Sequence, residues 1–201
     1  MTTLSPEQIR QRIGCLTASR IGDAIGKTAA GKYRSERMTY LRQLVAERMT
    51  DVAAEFYVTA DMQWGIDQED AARQAYEAET GLIVVECGSI MHPVIDNALA
   101  TPDGLVGSDG MIEIKCPRTT TYLGWLLDDK APEQHQAQML WQLACAKRKW
   151  CDFVAFDPRV VRGPQVVVRR FEPTFDQLHD IEMEAIKFLS EVDAVFNQVM
   201  K

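Results

Sequence analysis

A chain of 201 residues is long enough to bury a core of its own as one domain. Its 46% apolar and 25% charged content is that of an ordinary globular protein, and no apolar run reaches the length that spans a bilayer. The net charge of −7 argues mildly against a nucleic-acid partner but does not locate the charges, because a metal site itself gathers carboxylates.

Met1–Gln8 has neither a basic n-region nor an apolar h-region, so no signal peptide is expected and a cytoplasmic location is. Ser5-Pro6-Glu7-Gln8 reads as a capping box with proline at the first helical position, opening a helix to about Arg12. Thr17-Ala18-Ser19 is expected to cap a second short helix ending near Gly26, with a loop over Lys27–Lys32. Arg34 to about Thr50 is helical by periodicity, with Met38, Leu41, Val45 and Met49 along one side. A long helix follows from about Thr59 to Glu79, ending at Gly81. Met62, Ile66, Ala72 and Tyr76 form its apolar face, and Glu69 falls on that face too. A carboxylate there costs free energy unless it is paired or binds a metal.

A strand pattern covers Leu82–Ile90, with a short strand near Leu99, a Pro102-Asp103-Gly104 turn and a strand over Met111–Cys116. Helices are expected over about Thr119–Leu127 and Pro132–Ala146, then strands at Cys151–Phe156 and Val166–Arg170. Thr174-Phe-Asp-Gln177 repeats the capping-box pattern. It opens an amphipathic C-terminal helix at about 174–198, with Leu178, Ile181, Ala185, Phe188, Leu189, Val192, Val195 and Val199 on one face. The whole, residues 1–201, reads as a single α/β (α+β) domain with a central mixed sheet flanked by helices. The five cysteines (Cys15, Cys87, Cys116, Cys145 and Cys151) include no Cys-x-x-Cys pair, and read as reduced, mostly buried thiols. The methionines and tryptophans read as core.

Chemistry concentrates around Asp103 and Glu113-Ile114-Lys115. Alternation puts Ile112, Ile114 and Cys116 on one face of the strand, and Glu113 and Lys115 on the other. Asp103 would lie beside Glu113 across a hairpin-like pair. Two acids plus water suit Mg²⁺, which polarises a phosphoryl oxygen and acidifies a water, while Lys115 would orient the water or neutralise developing charge. This pattern points to a metal-dependent nuclease, with Glu69 as a third carboxylate from the facing helix. A half-buried strand with a charged outer face looks the same in sequence, and the Gln134, Gln138, Gln142 stripe reads most simply as solvated.

Five blocks in order sharpen the reading: Arg12-Ile-Gly-Cys-Leu-Thr-Ala-Ser19, Trp64-Gly-Ile-Asp-Gln-Glu69, Thr101-Pro-Asp-Gly104, Glu113-Ile-Lys-Cys-Pro117 and His135-Gln-Ala-Gln138. From about residue 10 to residue 157 the chain resembles the lambda exonuclease (YqaJ-type viral recombinase) family, with its restriction-endonuclease-like core. The resemblance implies Mg²⁺-dependent 5′→3′ digestion of one strand of double-stranded DNA to 5′-mononucleotides, with two ions per site and Mn²⁺ as a substitute. It implies metal ligation by Asp103, Glu113 and the Ile114 carbonyl, with Lys115, Glu69 and Gln138 as catalytic groups. Arg12, Ser19 and Thr101 would grip the 5′-phosphate. A further arginine of that pocket falls at Thr121 by counting, and Arg118 is the candidate to replace it. Met62 matches an apolar wedge at the terminal base pairs. A homotrimer ring around DNA ends and a single-strand annealing recombinase as partner are also implied. An endonuclease or nickase of the same fold, and a non-catalytic DNA-binding protein, stand as alternatives. Backbone contacts are expected from Lys147-Arg148-Lys149, Arg169-Arg170 and the Lys27–Arg37 segment, each equally readable as solvated surface.

Overall fold

The computed structural model describes residues 5–55 and 57–201. Met1–Leu4, where no signal peptide is expected, and Phe56 lie outside that description.

Local chemistry sets most of the helix ends. In α1 (Pro6–Arg12), the Ser5 hydroxyl accepts from Gln8 N at 3.2 Å and the Gln8 side chain accepts from Ser5 N at 2.8 Å. Strand β1 (Leu16–Thr17) leads into a 3₁₀ turn at Ala18–Arg20 and then α2 (Ile21–Ile25). Thr17 makes no side-chain cap there, unlike the expectation. Helix α3 covers Ser35–Thr50, and α4 (Ala60–Thr80) is capped by Thr59 and closed by Gly81 at φ 71, a left-handed turn that glycine adopts without a Cβ penalty. Helix α5 (Thr119–Leu127) and α6 (Glu133–Ala146) follow the sheet hairpin, and α7 (Phe175–Val199) opens with a second capping box, Thr174 with Gln177.

Two sheets carry the chain. β1, β4 (Ala98–Ala100) and β3 (Ile90–Met91) form a small one, with β1 parallel and β3 antiparallel to β4. The larger has the order β2 (Val84–Val85), β5 (Gly104–Val106), β6 (Gly110–Lys115), β7 (Trp150–Phe156), β8 (Val166–Phe171). It is mixed, because β6 and β7 run parallel while the other pairs are antiparallel. The single strand expected over Leu82–Ile90 is therefore two short strands in different sheets. Pairing partners distant in sequence made that division, and the apolar run could not display it.

Helix α4 packs Ala72 and Tyr76 against Ile112, Ile114, Cys116 and Val154 on one face of the larger sheet. On the other face, Tyr122 from α5 and Met139 and Leu143 from α6 cover Met111, Phe153 and Ala155. A separate core joins α2, α3, α6 and α7 around Tyr40, Leu44, Trp141, Phe188 and Val192. Burying Phe188 and Leu189 contributes roughly 1.5–3 kcal/mol each. Three corrections concern phase along helices. Met38 and Met49 are half exposed, and Arg37, Tyr40, Leu44 and Glu47 are buried with Leu41 and Val45. Met62 is 44% exposed and is not core. On α7 the apolar stripe gives out at Val199, also exposed. All five cysteines are free thiols, four of them buried.

Candidate active site

The hairpin of β5 and β6 aligns Gly104 with Ile112, and one step further in that register sets Asp103 opposite Glu113. Asp103 is fixed by accepting the Ile114 N–H at 2.7 Å. Gly104 lets this corner close, because a Cβ there would stand 2.2 Å from Val84 Cγ1 on β2.

Glu113 is buried at 1% exposure and its carboxylate is held from three directions. Gln138 Nε2 donates to Oε1 and Gln142 Nε2 to Oε2, each at 2.6 Å, and the Lys115 ammonium pairs with Oε1. Spaced four apart, the two glutamines leave the same side of α6. The solvated-glutamine reading is thus overturned for both. Gln142 is fully buried and its own Oε1 has no partner among the described residues, a cost the Glu113 contact offsets. The solvated charged-face reading of β6 fails for the same reason: its carboxylate is under α6.

The electrostatics follow from burial and crowding. Burial, then the charge of Glu113, pushes Asp103 from 3.8 up to about 7. Burial opposes the Lys115 ammonium, yet Glu113 and Asp103 outweigh it and hold its pKa above the usual value. Burial and then Lys115 lower His135 to about 4, so that imidazole is neutral beside the site. Among the described residues, no three His, Cys, Asp or Glu side chains converge on one point. A cation between Asp103 and Glu113 would draw on two carboxylates, main-chain oxygen and water, the set that Mg²⁺ favours. It would also relieve the repulsion that raises Asp103. The residues present fit such an ion.

Asp103 and Gln138 open into a cleft of about 90 Å³ that is also lined by Arg12, Ser19, Glu69, Arg73, Glu86, Cys87 and Thr101. Arg12 Nη1 donates to Thr101 Oγ1 at 3.1 Å, and Thr101 Oγ1 is 3.1 Å from Ser89 Oγ. Ser19 is exposed at the same wall. Glu69 is buried and pairs with Arg73 at 3.2 Å. Of the residues expected at the metal, Asp103 lines this cleft together with Arg12, Ser19 and Thr101, whereas Glu113, Ile114 and Lys115 lie outside its lining.

Arg118 does not join them. It is exposed and paired with Asp61 at 2.9 Å, away from the cleft lining. Several members of the basic clusters are likewise engaged: Lys147 with Glu182, Lys149 with Asp109, Arg170 with Asp152, Lys27 with Glu184 and Arg37 with Glu191. Arg148 and Arg169 donate to main-chain carbonyls. Sequence reading missed Arg73, Glu86 and Ser89. For Arg73 the available signal was its place one turn after Glu69 on α4.

Residues 7–149 match the family model of the YqaJ-like viral recombinase domain. No curated protein sequence matches the chain significantly. Among solved structures, an alkaline exonuclease from Laribacter hongkongensis shares 38% identity and superposes with a TM-score of 0.89, covering 98% of this chain and 96% of its own. The same exonuclease in complex with dAMP gives 38% identity and 0.89 over 97% and 96%. A phage-related exonuclease from Haemophilus somnus 129PT, at 15% identity and TM-score 0.65 over 92% and 95%, shares the fold. The chain belongs to the YqaJ-like viral recombinase domain family and is an enzyme of the exonuclease type.

Proposed function

We propose that the chain is a Mg²⁺-dependent exonuclease that digests one strand of double-stranded DNA from a 5′ end, releasing 5′-mononucleotides and leaving a 3′ single-stranded tail. The observation that carries this reading is one cleft lined by Asp103 and Gln138 together with Arg12, Ser19 and Thr101. Asp103, Glu113 and the Ile114 carbonyl would hold the cation, with two ions per site and Mn²⁺ as a substitute in this proposal. When bound, Mg²⁺ supplies Lewis-acid polarisation of the scissile phosphate and lowers the pKa of a water.

The protein groups do the remaining work. Gln138 and Gln142 keep the Glu113 carboxylate in one orientation. The Glu113 and Asp103 carboxylates favour the Lys115 ammonium against its burial, and Lys115 orients the water or neutralises charge developing on the phosphate. Glu69 orients the attacking water from the cleft wall. The Arg12 guanidinium and the hydroxyls of Ser19 and Thr101 take the terminal phosphate through charge-assisted hydrogen bonds. In the proposed function, DNA ends are the substrate, the assembly is a ring-shaped homotrimer, a single-strand annealing recombinase is the partner and the site of action is cytoplasmic. The dAMP complex of the Laribacter enzyme has a ligand of the proposed product class.

An endonuclease or nickase would use the same metal-binding corner but would have no need of the phosphate-binding wall. Digestion of a 5′-phosphorylated linear duplex and a covalently closed circle, side by side with Mg²⁺, separates the two. The expected result is mononucleotides from the linear substrate alone, and none from Lys115→Ala, which still binds the duplex. Equal cleavage of the circle would overturn the exonuclease reading, and hydrolysis without added metal would overturn the cation's role.

A further inference from the structure

One group in the cleft has no part in the chemistry above. Arg73 is nine-tenths buried on α4, and its guanidinium fork reaches three carboxylates: Glu69 at 3.2 Å, Asp70 at 3.2 Å and Glu86 at 2.6 Å. Glu86 begins the short segment 86–89 between β2 and β3. That segment touches the site twice more. The Cys87 thiol donates to the Pro102 carbonyl at 3.6 Å, next to Asp103, and Ser89 Oγ meets Thr101 Oγ1 at 3.1 Å. Arg73 thus links the helix that carries Glu69 to the segment that braces Thr101 and Pro102.

The arrangement is poor as a simple staple. Asp70 and Glu86 are 85% and 65% exposed, so solvent screens their attraction. Arg73 Nε is buried with no partner among the described residues. A buried ion pair adds little net stability after desolvation, but its geometry is specific. Nor is Arg73 placed as a phosphate ligand, since both Nη groups are already committed to carboxylates.

We infer that Arg73 is a positioning residue, holding Glu69 and the 86–89 segment together so that the two walls of the cleft stay in register. The inference rests on the proposed exonuclease function. Its test is a kinetic cycle on a linear 5′-phosphorylated duplex with Arg73→Gln, Glu69→Gln, the double variant and Arg73→Lys, alongside duplex binding measured in EDTA. Arg73→Gln is expected to lose about 10–100-fold in kcat, with KM and metal-free duplex affinity within about twofold. The double variant is expected to lose less than the product of the two single losses, because part of the effect of Arg73 runs through Glu69. Arg73→Lys should recover part of the loss, since one ammonium can pair with Glu69 but cannot also fork to Glu86.

Full activity of Arg73→Gln would overturn the inference. So would losses that multiply in the double variant, or a raised KM with weakened metal-free binding, which marks a direct phosphate contact. If Arg73→Gln does not fold by thermal melting, Arg73→Lys and Glu86→Gln decide: lowered kcat at unchanged KM supports positioning, and full activity in both overturns it. An inactive wild type would remove the exonuclease reading and this inference together. An active wild type with an active Arg73→Gln removes the inference alone.

Discussion

Changing Asp103 to asparagine should make the metal-free protein more stable while abolishing cleavage. Asp103 faces Glu113 across the hairpin, and burial with that neighbouring charge raises its pKa from 3.8 to about 7. The folded carboxyl therefore keeps its proton over a window in which the unfolded one has released it. The folded chain binds more protons there, so stability falls as pH rises from near 3.8 to about 7. At about 1.36 kcal/mol per pH unit, the ionised site costs roughly 4 kcal/mol once pH exceeds the upper value. Asparagine keeps the shape, and its carbonyl can still accept the Ile114 N–H, but it cannot ionise. Thermal melts in EDTA should show the variant more stable on the order of 10 °C near pH 8. The gain should shrink towards nil near pH 4. Added Mg²⁺ should stabilise the wild type and not the variant. No gain near pH 8, or an equal gain at both pH values, would refute the reasoning, because burial and the Glu113 charge would not then disfavour the folded carboxylate.

Arg12→Ala should erase the preference for a 5′-phosphorylated over a 5′-hydroxyl end, a loss of about tenfold or more in kcat/KM on the phosphorylated duplex. Arg118→Ala should leave that preference intact, because its guanidinium is spent on Asp61; the opposite pair of outcomes would move the phosphate pocket towards α5. Gln142→Leu removes one donor from Glu113 and one unpartnered buried oxygen together, so the melting temperature should change little. The Mg²⁺ concentration for half-maximal digestion should nevertheless rise about tenfold, and an unchanged requirement would show that Gln142 only fills space.

What the sequence displayed was mostly local. Both capping boxes, the Gly81 stop and the alternation along β6 depend on residues within a turn or two of each other, and each appears as expected. The metal corner at Asp103 was legible from residue type and spacing, whereas Arg12 and Thr101 stood out only through the family resemblance, and all three line one cleft. What stayed hidden depends on partners distant in sequence. Val84 and Ile90 look like one strand until pairing with Val106 and Ala100 sends them to different sheets. Gln142 looks solvated until α6 is laid over Glu113. Arg73 looks like any helical arginine until Glu86 arrives from the next element. Met38 and Met49 misled because hydrophobicity marks a face only when its phase is known, and the helix buries Tyr40 and Leu44 instead.

The two sheets meet in sequence at a very short step. Thr101 directly follows β4 of the small sheet and Asp103 directly precedes β5 of the large one. Two residues of extended chain span at most about 7 Å. In the proposed reading, the anchor for the terminal phosphate and the carboxylate for the cation are thus the two marks of a molecular ruler whose length is set by covalent bonds. Side chains can drift and domains can flex, but this spacing cannot stretch. In the proposed function, that upper bound suits removal of one nucleotide at a time from the end of the substrate, whatever the base.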